Sequence, residues 1–259
     1  MEIGISTACF YPLYTEKTIQ IISNLGCGLC EVFLEAEYEY NKSYIDILKE
    51  KMNFYNVQTH SVHAFCATFE HQLFSEYERR RHDALKVFEK VLQAAVGVGA
   101  RSYTFHGDKR SDSFNEIDFK HYLRCLDELL QMASAYNIDL SWENVAWCQT
   151  SRPEFIAKVK ADAPLLKFTL DIKQARRANI DPKKYIDVMG GRLINVHVND
   201  YNDENSCMLP GRGMFDFKEF FKTLSGIGYK GNAIIEVYRT NFENHEELKS
   251  SFEYLQSTI

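Results

Sequence analysis

The hexapeptide NVHVND, running from Asn195 to Asp200, alternates like a β-strand. Val196 and Val198 share one face, while Asn195, His197 and Asn199 share the other. A surface strand turns its polar face to water, and a histidine between two asparagines is an odd choice for that. The rest of the chain shows what this face looks at. Further short apolar segments occur at 3–7, 29–33, 56–63, 102–106, 139–143, 167–171 and 233–237, with NVHVND lying in an eighth at 193–198. Between them the periodicity becomes helical. Segment 118–136 sets Phe119, Tyr122, Leu123, Leu126, Leu129, Leu130 and Ala133 on one face. Segment 75–96 does the same with Leu85, Phe88, Val91, Leu92 and Ala95. Other helices are expected at 16–24, 43–55, 152–160, 182–189, 217–224 and 244–254. Gly26, Gly99 and Gly228 each follow an apolar run and precede a strand, as does Asn137. Such residues close helices in the left-handed conformation.

Eight strand-helix units in 259 residues predict a (β/α)₈ TIM barrel, with one domain spanning 1–259. A doubly wound open sheet is the alternative. No Gly-x-Gly-x-x-Gly opens the first helix, which counts against a dinucleotide-binding sheet.

Composition narrows the function. The net charge of −6 comes from acids and bases mixed along the chain, so no basic stripe invites nucleic acid. Seven scattered cysteines include one close pair, Cys27 and Cys30, without a second pair to make a zinc ribbon. They read as reduced, buried thiols in a cytoplasmic protein. MEIGIST lacks the basic and apolar regions of a signal peptide, and no run is long enough to span a membrane. A homo-oligomer is compatible with the sequence.

Parallel strands covered on both faces should be apolar throughout. Here the exceptions gather at the C-terminal ends: Glu143 in SWENV, Asp171 in TLDIK, His197 in NVHVND and Glu236 in AIIEVY. QTHSVHAF adds His60 and His63, and YTFHGD adds His106 and Asp108. Ser141 with Glu143, Thr169 with Asp171, Asn195 with His197, and Ile234 with Glu236 have matching parity. In a barrel these faces look inward at the catalytic rim. Carboxylates packed together there would repel one another, and a divalent cation removes that cost. Carboxylate oxygens with one imidazole suit Mn²⁺, Mg²⁺, Co²⁺ or Zn²⁺.

Glu143 in WENV, Asp171 in LDIKQ, His197 in HVND, the PGRGMFDF loop at 210–217 and Glu236 in IIEVY resemble the xylose isomerase-like TIM-barrel superfamily of sugar phosphate isomerases and epimerases, which also includes the endonuclease IV-type enzymes. The resemblance implies one divalent metal held by Glu143, Asp171, His197 and Glu236. It also implies a sugar or sugar phosphate substrate, an enediolate stabilised by the metal, and Glu143 and Glu236 as the acid/base pair. A polyol (inosose-type) dehydratase and a non-catalytic sugar-binding barrel share these features. His63 and His106 match two ligands of the endonuclease branch. The superfamily's Asp-x-x-His is Asp171-Ile172-Lys173-Gln174 here, a departure from the ketose 3-epimerase pattern too, and the endonuclease branch's Asp-x-His pair expected after the seventh strand is missing; both argue against nuclease chemistry. Around the four ligands, His63, His106 and Gln174 are expected to contact substrate hydroxyls. Lys173 and Arg212 are expected to grip an anionic group. Phe10, Tyr11, Phe65 and Trp147 are expected to wall the sugar, and Asp200 to orient a ligand.

Overall fold

The computed structural model describes residues 1–65, 69–111, 113 and 117–259. Its eight parallel strands close into a barrel in sequence order. They are β1 (Ile3–Ser6), β2 (Leu29–Leu34), β3 (Gln58–Ala64), β4 (Ser102–Phe105), β5 (Asp139–Glu143), β6 (Lys167–Asp171), β7 (Leu193–Val198) and β8 (Asn232–Ile235). The helices around it are α1 (Thr15–Asn24), α2 (Lys42–Tyr55), α3 (Glu78–Gly97), α4 (Phe119–Ala135), α5 (Pro153–Asp162), α6 (Ile172–Arg177), α7 (Pro182–Met189), α8 (Phe217–Gly226) and α9 (His245–Thr258). The (β/α)₈ expectation therefore holds, and each predicted strand has its counterpart. Two helical expectations need correction. The segment predicted from 75 begins as α3 only at Glu78, because a 3₁₀ turn over Glu70–Phe74 and a bend occupy the approach. The short α6 had no counterpart at all; it begins directly after Asp171, whose Oδ1 accepts the Gln174 amide at 3.0 Å as its N-cap.

The predicted helix stops are real. Gly26, Gly99, Gly228 and Asn137 all have positive φ, and Asn56 and Asn179 do the same work unpredicted. Strand parity also holds. Leu140, Trp142, Leu170, Val196, Val198 and Ile235 are buried, and Trp142 lies against Phe74, Tyr122 and Phe155. The opposite faces fill the barrel with polar side chains. Ser141 and Thr169 hydroxyls meet at 2.7 Å, and Ser61 and Thr104 donate to Glu31 at 2.6 and 2.9 Å. Six described cysteines are buried thiols, while Cys66 lies outside the described residues. Among the described residues no helix is long and apolar enough to cross a membrane.

Candidate active site

The strand register brings the predicted donors together. Asp171 on β6 is paired with His197 on β7, and Glu143 on β5 with Thr169 one pleat lower on β6. Glu236 follows β8 directly, and its amide continues the ladder to the Val198 carbonyl at 3.2 Å. All four side chains are buried. One ligand atom from each of Glu143, Asp171, His197 and Glu236 lies within 4.8 Å of the others. His197 Nδ1 stands 3.5 Å from Glu143 Oε1, 3.8 Å from Asp171 Oδ2 and 3.5 Å from Glu236 Oε2.

Sequence reading missed the residue beneath them. Glu31 is fully buried on β2, and its carboxylate accepts from Ser61, Thr104, Asn195 and His197 Nε2. His197 Nε2 is 3.1 Å from Glu31 Oε1 and 3.2 Å from Oε2. With Nε2 at Glu31, Nδ1 is the ring nitrogen that faces the three rim carboxylates. The signal was available in LCEVFL, where one acid interrupts an apolar strand, as Glu143 interrupts β5. Glu70, also missed, holds the end of β4. It accepts from the Tyr103 hydroxyl, from the His106 amide at 2.8 Å and from the Gly107 amide at 3.1 Å.

The balance of charge is the main electrostatic fact. Glu31, Glu143, Asp171 and Glu236 face one buried ammonium, Lys173, which lies 2.7 Å from Glu236 Oε2 and 3.3 Å from Asp171 Oδ2. Burial opposes ionisation of Glu143, but His106 and His197 outweigh it and hold the carboxyl well below its ordinary range. Burial likewise opposes ionisation of Glu236, which Lys173 and His197 hold low. Asp171 goes the other way: burial pushes its carboxyl up more than Lys173 pulls it down. Burial would lower His197, yet Glu31 and Glu236 hold it well above the usual imidazole range; His63, beside Glu236 and Glu31, is raised to about 10. The excess negative charge draws protons onto the histidines, and a cation in their place would relieve the same imbalance.

The donor set fits a divalent ion on independent grounds. Asp171 Oδ2 and Glu143 Oε2 are buried with ion-pair neighbours, Lys173 Nζ at 3.3 Å and His106 Nε2 at 2.7 Å, and buried His197 Nδ1 faces carboxylates. Oxygen-rich ligation with one imidazole nitrogen is the chemistry of Mn²⁺, Mg²⁺, Co²⁺ and Zn²⁺. His63 and His106 adjoin this cluster, with Nε2 atoms 2.7 Å apart, and His106 Nε2 is 2.7 Å from Glu143 Oε2.

The other predicted residues divide. Lys173 points inward because α6 starts at once after β6 and carries it over the cluster. Gln174 is buried beside it, its side-chain oxygen accepting the Ala146 amide at 3.2 Å. Trp147 is 45% exposed and meets the His106 ring edge-on at 5.9 Å. Tyr11 and Phe65 are also exposed. Arg212 stands apart, exposed and paired with Glu247 of α9 at 3.1 Å. Phe10 does not wall the site; it is buried against Phe242 and His245. His60 lies low in the barrel, its Nδ1 3.2 Å from Asn232 at the start of β8. Asp200 does not orient a ligand. Its carboxylate accepts the amides of Tyr201, Gly211, Gly213 and Phe215 at 2.8–3.0 Å and so ties down the PGRGMFDF loop. Gly213 is required there because a Cβ would come within 2.3 Å of both Asp200 Oδ1 and the Tyr201 carbonyl.

Fold and donor set together define a (β/α)₈ barrel with an acid-rich, histidine-containing mouth. The sequence model described as Xylose isomerase-like TIM barrel matches residues 19–258, and the chain belongs to that family. An uncharacterized protein of Mycobacterium tuberculosis, Rv0498, is 24% identical over 96% of this chain and 93% of its own length. L-ribulose-5-phosphate 3-epimerase UlaE of Escherichia coli is 27% identical over 66% of this chain and 62% of its own length. Among solved structures, a D-tagatose 3-epimerase-like protein superimposes with a TM-score of 0.84 at 21% identity, covering 100% of this chain and 97% of that one. The 3-keto-D-glucoside 4-epimerase YcjR of E. coli gives 0.81 at 17% identity and 99% coverage of each. At these identities the structural likenesses establish the shared fold.

Proposed function

We propose that the protein is a divalent-metal-dependent sugar or sugar phosphate epimerase or isomerase that moves a proton beside a carbonyl through an enediolate. The observation that carries this reading is the convergence of Glu143, Asp171, His197 Nδ1 and Glu236 within 4.8 Å. Epimerases among the relatives support it. An ion held by those four residues would supply Lewis acidity to a carbonyl and an adjacent hydroxyl oxygen. Glu143 and Glu236 enter from strands separated by β6 and β7, so a substrate carbon between them has a carboxylate on each side. Each carboxylate has two oxygens, which leaves one to take or return a proton. Lys173 holds Glu236 ionised, so that it can accept a proton. His63, His106 and the Gln174 amide face substrate hydroxyls, and Trp147 and Phe65 cover an apolar face of the sugar. The buried, unpaired thiols suit a reducing compartment such as the cytoplasm.

The test joins elemental analysis to isotope exchange. Protein reconstituted with Mn²⁺ or Zn²⁺ should hold about one tight ion per chain, lost in His197→Ala. The loaded protein should wash deuterium from D₂O into a ketose or ketose phosphate, and Glu236→Gln should slow this at least 100-fold while retaining the ion. Exchange at the wild-type rate in Glu236→Gln removes that residue from the mechanism. About three zinc ions per chain with cleavage of abasic DNA would replace the reading.

A further inference from the structure

Most cationic side chains near the mouth are already committed. Lys173 is held by Glu236 and Asp171, Arg176 pairs with Asp203 at 3.5 Å, and Arg212 pairs with Glu247 at 3.1 Å. Arg239 donates to the carbonyls of Phe242 and Glu243. Arg177, at the end of α6, differs. Its Nε donates to Ser206 Oγ at 3.2 Å and its Nη1 to the Tyr238 hydroxyl at 3.0 Å. Among the described residues no carboxylate lies within ion-pair distance of it. A guanidinium has five N–H donors, so most of its capacity remains open. Ser206 and Tyr238 accept from Arg177, which leaves each hydroxyl proton to be donated elsewhere.

These three groups come from the end of α6 and from the loops after β7 and β8. Asn241 stitches two of the loops together: its Nδ2 donates to the Cys207 carbonyl at 2.8 Å, and its Oδ1 accepts the Tyr238 amide at 2.8 Å. Cys207 Sγ adds a contact to the same oxygen at 3.3 Å. Ser206 and Tyr238 are thus neighbours of one half-buried anchor. The cluster also adjoins the chemistry. Tyr238 is two residues beyond Glu236, and its ring has Lys173 Nζ at 5.3 Å and the Arg177 guanidinium carbon at 5.7 Å. A cationic, hydroxyl-lined station outside a ring of four carboxylates is where a dianion could be held without meeting them.

We infer that Arg177, Tyr238 and Ser206 form the subsite for the terminal phosphate of a sugar phosphate whose carbonyl end lies between Glu143 and Glu236. This rests on the proposed epimerase or isomerase reading and selects phosphorylated over free sugars within it. A planar fork flanked by two hydroxyl donors matches the three terminal oxygens of a phosphate monoester.

The test measures equilibrium binding by calorimetry, without added metal and again with Mn²⁺. The probes are the ketopentose 5-phosphates, the corresponding free ketopentoses and inorganic phosphate as competitor. The wild type should bind at least one phosphate tenfold or more tightly than its free sugar. Arg177→Gln should reduce that ratio at least tenfold, Arg177→Lys should restore part of it, and Ser206→Ala should reduce it less than Arg177→Gln does. A wild type with no preference for phosphates, or a preference that survives Arg177→Gln, overturns the subsite. Deuterium exchange separates the two proposals. Arg177-dependent phosphate binding without exchange keeps the subsite and sinks the epimerase reading; exchange into free sugars with no phosphate preference does the reverse.

Discussion

Replacing Glu31 with glutamine tests the claim that a buried carboxylate sets the ligand nitrogen of His197. The side chain keeps its size, but only one of its two ends can still accept. Ser61, Thr104 and Asn195 all donate to Oε2, so the amide oxygen belongs there. The amide nitrogen then occupies the place of Oε1, 3.1 Å from His197 Nε2. Two N–H groups repel there, so Nε2 loses one of its two acceptors and the neutral ring shifts toward carrying its proton on Nδ1. That is the atom aimed at Glu143, Asp171 and Glu236. Loss of an outer partner of this kind costs 10- to 100-fold in metal affinity, or about 1.4–2.7 kcal/mol. Competition with a fluorescent chelator would give the Mn²⁺ dissociation constant, and ¹⁵N shifts of the imidazole would report its tautomer. Circular dichroism would confirm that the variant is folded. A folded Glu31→Gln protein that binds Mn²⁺ within twofold of wild type, with His197 still protonated at Nε2, would refute the reasoning.

Two further predictions concern stability. Burial raises Asp108 from an ordinary 3.8 to about 6, so the folded protein binds this proton more tightly than the unfolded chain does. Its contribution to stability falls as pH rises from about 4 to 6 and stays lost above that, a penalty of at most about 3 kcal/mol. Asp108→Asn should therefore be more stable than wild type at pH 7 by about 1–3 kcal/mol in urea unfolding, with the difference shrinking toward pH 4; a constant difference would contradict this. Asp200→Ala leaves four loop amides without their acceptor and should destabilise the protein by about 3 kcal/mol, with proteolytic cleavage appearing first within the PGRGMFDF loop. Unchanged urea unfolding and protease resistance would show that the amides find other partners.

What was legible in the sequence was what repeats locally. Period-2 and period-3.6 patterns fixed the eight strands and the long helices, and left-handed Gly and Asn marked where helices stop. The six-residue α6 escaped because it is shorter than two turns and offers no period to read, although Asp171 caps it as an N-cap residue should. Glu143, Asp171, His197 and Glu236 were legible because each breaks an apolar strand at the same depth, and strand parity alone turns them inward.

Other parts of the site depend on contacts far apart in the chain. Glu31 meets His197 across 166 positions, and Lys173 reaches Glu236 across 63. Arg212 and Arg177 look alike in sequence, each a basic residue beyond a strand end. Only the folding of α9 beside the 210–217 loop gives the first a carboxylate, and only the meeting of α6 with two loops gives the second two hydroxyls. Phe10 follows a strand as Phe65 does, yet one is buried and the other half exposed. The sequence by itself determined the barrel and the inward-facing acids, because backbone periodicity is a local property. The tertiary structure decided which charges are balanced and which remain open, because that depends on which loops close over one another.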